Sequence, residues 1–152
     1  MIGTVLLGAV LLFALGAVLS DVQGNARSSK ICACLAGGAS LGAAAFLFAI
    51  ILADDFSYTY VVSYSSIDLP LLYKCSAFWA GQQGSFLLWL VIHALVGILL
   101  AQSGRMTATG RAIYQTLTAL LAALVLMKSP FIPADTIVLD GHGMNPLLQD
   151  PW

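Results

Sequence analysis

The sequence predicts an all-α, polytopic membrane protein with about four transmembrane helices, and three observations lead there. Hydrophobic side chains make up 60 % of the 152 residues and charged ones only 9 %, a balance that water-soluble domains do not have. The apolar residues gather into four runs, each near the roughly 20 residues that a helix needs to cross a bilayer. Charges and turn formers collect between the runs and in the C-terminal stretch. Six basic and seven acidic residues nearly cancel, so no long-range field draws the chain to a polyanion. The expected partner is therefore the lipid bilayer, and nucleic acid is excluded.

The spans are expected at 2–20, 31–53, 85–102 and 112–128, within one membrane domain covering 1–152. Lys128 closes the shortest run, where its stem can lie in lipid while the ammonium reaches the interface. Asp54, Asp55, Asp68, Asp135, Asp140 and Asp150 all fall outside the runs, which avoids the cost of a charge in hydrocarbon. The connections after the first and third spans hold Arg27 with Lys30 and Arg105 with Arg111. The positive-inside rule makes these loops cytoplasmic. Both termini and the segments 54–84 and 129–152 then face the outside, N-out and C-out, which is the periplasmic side for a bacterial inner membrane or its organellar equivalent. No basic residue precedes the first run, unlike a signal peptide, so that helix is expected to be retained.

In the first outer segment, an extended chain would put Tyr58, Tyr60, Val62 and Tyr64 on one side, as an interfacial belt or an aromatic wall for a partner. Further on, Trp79-Ala80-Gly81-Gln82-Gln83-Gly84-Ser85 leads straight into the third span. Gly81 and Gly84 permit a tight backbone path there, Ser85 is a candidate helix cap, and Trp79 and Trp89 bracket the outer end. The tail after Lys128 is rich in turn formers and cannot be a continuous helix.

No nucleophile with a base, carboxylate pair or phosphate loop stands out. His93 lies inside the third span, on a face shared by Ser85, Trp89 and Gly97. An imidazole at that depth is either a haem ligand or proton relay, or a neutral group hydrogen-bonded between helices. His142 sits between two glycines in the tail, a solvated turn position. Cys32, Cys34 and Cys75 are too few and too scattered for a metal site, so no metal is expected.

Three stretches resemble the CcmF-type cytochrome c haem lyases, of the haem-handling superfamily. They are Asp55-Phe56-Ser57 with Tyr60-Val61; Leu69-Pro70, Tyr73-Lys74 and Trp79, followed by Gly84-Ser85 and Leu87-Leu88-Trp89; and Asp140-Gly141 with Asn145-Pro146-Leu147-Leu148-Gln149-Asp150-Pro151. The last string is the most specific. The resemblance implies a part in attaching haem covalently to apocytochrome c outside the membrane, alongside a haem chaperone and thiol-handling maturation proteins. The family's haem-ligating histidines follow the Gln-Asp-Pro string, so neither His93 nor His142 matches a ligand position. The family's usual acidic residue before Gly84 is Gln83 here.

The expectation is thus the N-terminal portion of a haem lyase, not catalytic alone, with haem held mainly by a remainder that carries the ligands. The haem-proximal or partner-binding candidates are Trp79, Gly81, Gln82, Gln83, Gly84, Ser85, Trp89, His93, Asn145, Pro146, Gln149 and Asp150, with no catalytic residue among them. The alternatives are a non-enzymatic packing or partner-binding subunit of cytochrome c maturation and a small transporter subunit.

Overall fold

A computed structural model describes residues 2–135 and 139–142. Among them are six helices: α1 (Ile2–Val22), α2 (Ala26–Leu52), α3 (Thr59–Tyr64), α4 (Leu71–Ala80), α5 (Gln82–Ser103) and α6 (Ala108–Met127). Four of these, α1, α2, α5 and α6, are long and apolar enough to cross a membrane. Each packs mainly on two neighbours, giving a closed ring in the order α1–α2–α5–α6, with α4 seated on α2 and α5 at one end. The described chain is an all-helical integral membrane bundle, as the apolar runs require.

Two helices begin earlier than the apolar runs do, because side-chain caps extend them into polar sequence. The Asn25 side chain accepts from the Ser28 amide and Thr107 accepts from the Gly110 amide, both at 3.1 Å. Each satisfies an amide that the helix itself leaves unpaired. As a result α2 starts at Ala26 instead of residue 31, and α6 at Ala108 instead of residue 112. With 27 residues α2 is about 40 Å long, more than the ~30 Å hydrocarbon core. Gly24 and Gly104 end α1 and α5 at this end of the bundle with φ of +74° and +67°, a backbone that side chains resist.

The interior is built from small and aliphatic groups. Leu7, Val10 and Ala14 of α1, Leu47 and Ile51 of α2, Leu87 and Leu90 of α5, and Ala122 and Val125 of α6 are all fully buried. Outward faces are apolar too: Leu12 of α1 and Leu99 of α5 are each 70 % exposed. In water that pattern would drive aggregation, whereas in lipid it is the favoured surface. Side chains pack directly on glycine backbone at Gly3, where an added Cβ would strike the Phe131 ring, and at Gly37, where it would strike Ile98. This is the packing that small residues permit between membrane helices.

The tyrosine segment, which would align Tyr58, Tyr60, Val62 and Tyr64 if extended, is instead helical: Thr59–Tyr64 forms a short helix. At helical spacing Tyr60 and Tyr64 share a face, with ring centroids 4.8 Å apart. Tyr60 is only 3 % exposed, so it anchors the inside of this end and is not part of an interfacial belt. The chain after α6 folds back on this segment. Ala134 donates its amide to Ser57 O and Thr59 donates to Ile132 O, with Tyr58 and Pro133 forming an antiparallel bridge. Further along, Asp140 Oδ1 accepts from the Ile67 amide and His142 N–H donates to Val62 O at 2.7 Å.

Candidate functional site

The junction of α3, α4 and α5 holds most of the residues singled out in the sequence, and its geometry follows from one problem. The last four carbonyls of α4 have no partner within their own helix. Tyr60 lies across that end: its hydroxyl proton is shared between Ala77 O and Phe78 O, each 3.0 Å away. The same oxygen accepts the Gly81 amide at 3.2 Å. Ser85 Oγ donates to Trp79 O at 2.8 Å. Three terminal carbonyls of α4 are thus satisfied by side chains from α3 and α5.

The expected cap at Ser85 is therefore corrected. The N-cap of α5 is Gly81, and Ser85 sits inside α5, its amide bonded to Gly81 O. Ser85 caps the preceding helix end instead. Gly81 has an ordinary extended backbone, with φ of −98°. Its need for glycine is steric, since a Cβ there would strike Tyr64 Cε2 and come within 2.9 Å of Tyr60 Cε2. Gly84 is tighter still, because a Cβ would overlap both Phe78 O and Tyr60 Oη.

Burial pushes the Tyr60 phenol well above its ordinary value; the Gly81 amide opposes this and the neighbouring Tyr64 adds to it. The folded state thus favours the neutral phenol, and its contribution is complete below the unfolded value of 10.0. As the pH rises past that value the unfolded chain ionises first, so stability falls. A Tyr60→Phe variant is expected to lose about 1–3 kcal/mol, since it leaves two buried carbonyls and an amide without this partner. Chemical unfolding of both proteins between pH 7 and 11 checks this: the wild-type advantage shrinks above pH 10 if the network is as described.

Beside the junction, Lys74 of α4 is buried and paired with Asp54 at the end of α2. Asp54 has φ of 51°, a left-handed position that Asp tolerates better than most residues. Its second oxygen, Oδ1, is buried without a hydrogen bond among the described residues, as is Gln83 Oε1. Gln82 and Trp79 are exposed, and Trp79 forms part of an apolar groove of about 570 Å³ together with Leu41, Phe48, Cys75, Phe78 and Leu88.

His93 and Trp89 belong to a different place. Trp89 lies about 10 Å along α5 from Gln82, so it does not bracket the outer end as expected. It lines a cleft of about 360 Å³ with Ile92, His93, Val96 and Tyr114. The imidazole of His93 lies flat on the Tyr114 ring, centroids 4.1 Å apart and planes within 1°. Its Nε2 faces Tyr114 O at 3.4 Å, and the Tyr114 hydroxyl donates back to His93 O at 3.0 Å. This is the interhelical histidine pairing, joining α5 to α6. Asn145, Pro146, Gln149 and Asp150 lie outside the described residues.

Haem iron is held axially by His, Cys, Met or Tyr side chains. His93 turns one ring face to Tyr114 and its Nε2 to a carbonyl, and His142 places Nδ1 3.3 Å from Val62 O. The described residues hold no group of three or more metal-ligating side chains.

One polar site escaped the sequence reading. Asp21, with its side chain fully buried, accepts Ser29 Oγ at 2.7 Å on Oδ2. Its Oδ1 accepts Arg111 Nε at 3.0 Å and Nη2 at 2.5 Å. The cluster ties α1, α2 and α6 together at the short-loop end. The signal available in the sequence was that Asp21 alone among the acidic residues lies on the basic side of the bundle.

No protein-family profile matches the chain. It is 35 % identical to the cytochrome c-type biogenesis protein Ccl1 of Rhodobacter capsulatus over 123 residues, covering 74 % of this chain and 19 % of that one. It is 33 % identical to CycK of Bradyrhizobium diazoefficiens, over 90 % of this chain and 21 % of that one. The match to CcmF of Escherichia coli is 28 % identical over 95 % of this chain and 24 % of that one. A solved structure of the cytochrome c haem lyase CcmF superposes with a TM-score of 0.77 over 86 % of this chain and 24 % of that one, at 24 % identity, sharing the fold. The chain thus spans about a fifth of the length of these curated relatives. It is a homologue of the N-terminal portion of the CcmF-type cytochrome c biogenesis proteins.

Proposed function

We propose that this chain is the N-terminal scaffold of a membrane haem lyase, supporting covalent attachment of haem to apocytochrome c on the periplasmic side of a bacterial inner membrane. The observation that carries the reading is the coincidence of sequence and fold: nearly the whole chain aligns with cytochrome c biogenesis proteins and shares the CcmF fold. The lyase chemistry belongs to the remainder that bears the haem ligands, which also meets the haem chaperone, apocytochrome c and the thiol-handling proteins. What this portion supplies is a rigid end. Tyr60, Gly81, Gly84 and Ser85 lock α4 onto α5, and the chain after α6 is laid across α3. That arrangement holds the chain as far as His142 against Val62, Ser65 and Ile67, and the remainder docks at this end.

The test is reconstitution. The chain is embedded in nanodiscs with haem and reduced apocytochrome c, with or without the complementary part of a CcmF relative. No covalent adduct is expected from the chain by itself, and an adduct from the pair. An adduct formed by the isolated chain would sink the scaffold reading. The partner-binding alternative through residues 58–64 fits the geometry less well, because Tyr60, Val61 and Val62 are buried within the fold.

A further inference from the structure

The short-loop end of the bundle carries more cations than the carboxylates paired with them among the described residues. Arg27, Lys30, Arg105 and Arg111 lie there, facing a single carboxylate, Asp21. Both oxygens of that carboxylate are taken, one by Ser29 and the other by Arg111. The remaining ion pair among the described residues, Lys74 with Asp54, lies at the opposite end. Three positive charges are left over.

These three lie at the short-loop end of the seam between α2 and α5. At helical spacing Arg27, Lys30 and Cys34 share a face of α2. That face is turned to α5: Gln102 Nε2 contacts Cys34 Sγ at 3.4 Å, and one turn further a Cβ on Gly37 would strike Ile98. Lys30 thus sits one turn beyond the Cys34–Gln102 contact, and the chain leaving α5 passes through Gly104 directly to Arg105. Arg27 and Arg105 are exposed and Lys30 half-buried. Next to the charges, Leu95 and Leu99 on the Gln102 stripe of α5, with Ile31 and Leu35 on α2, are exposed apolar groups. The seam offers a cationic rim directly above hydrocarbon-compatible walls.

We propose that this seam binds the phosphate of an anionic membrane lipid, with Arg27, Lys30 and Arg105 around the head group and the acyl chains along Leu35, Leu95 and Leu99. Each cation near a bilayer surface strengthens such binding about fivefold. A phosphodiester suits the arrangement because guanidinium groups pair with phosphate oxygens in a forked geometry, while the lysine adds a point charge. The proposal stands independently of the lyase reading.

Native mass spectrometry of the full chain, titrated with phosphatidylglycerol or with phosphatidylcholine of the same acyl chains, tests it. One phosphatidylglycerol is expected to bind at least about tenfold more tightly than phosphatidylcholine. Lys30→Arg should keep that preference. The double variant Lys30→Gln/Gln23→Lys keeps the net charge of the loop but moves one cation off the seam, and should lose about fivefold. If it binds as wild type does, bulk charge explains the preference and the seam is not a site. Competition with inorganic phosphate identifies the source: no displacement at millimolar phosphate supports a lipid, and displacement makes the seam a site for free phosphate, overturning the lipid assignment. Equal binding of the two lipids also overturns it.

Discussion

Asp21→Ala is expected to cost about 3–5 kcal/mol of bundle stability, because it strands the Arg111 guanidinium at a packed three-helix contact. Ser29 loses its acceptor at the same time. Burying a charge without its partner is far more expensive than burying neither. The companion variant Asp21→Leu/Arg111→Met should therefore recover most or all of the loss, since apolar groups of similar size suit that position in lipid. Reversible unfolding in mixed detergent micelles measures both. Wild-type stability in Asp21→Ala would mean that the cluster is solvated and does not clamp α1, α2 and α6.

Gly84→Ala should have the next largest effect, about 3 kcal/mol, at the upper end for overpacking. The added Cβ overlaps a backbone carbonyl and the Tyr60 hydroxyl, and neither can retreat without breaking the bonds that close α4. Gly38→Ala is the control, since a Cβ there meets nothing within 4 Å. It should be neutral or add up to about 1 kcal/mol through helix propensity. If both substitutions behave alike, close approach at Gly84 is not what fixes the α4–α5 junction.

The spanning helices were legible because lipid makes apolar run length nearly decisive. Their ends were not, because Asn25 and Thr107 extend α2 and α6 into polar sequence by capping, and a hydropathy reading does not weigh that gain. The need for glycine at 81 and 84 was visible, although its cause turned out to be ring and carbonyl contact and not an unusual φ. The tyrosine segment was misread because alternation in Tyr58-Thr59-Tyr60 fits a strand, whereas i, i+4 spacing of Tyr60 and Tyr64 fits the helix that tertiary packing selects. Ser85 was recognised as a capping residue but assigned to the wrong helix, since the break at Gly81 between α4 and α5 cannot be read from spacing. The Asp21–Arg111 pair spans 90 positions, and only the ring order of the helices brings it together.

The most direct test of the scaffold assignment is to purify the tagged chain gently from its native membranes, identify what accompanies it, and record the haem absorption spectrum. The account predicts that the haem-ligating histidines lie outside residues 1–152, and that the haem spectrum departs with them when they are separated from this portion. Ligated haem retained by residues 1–152 after that separation would contradict it.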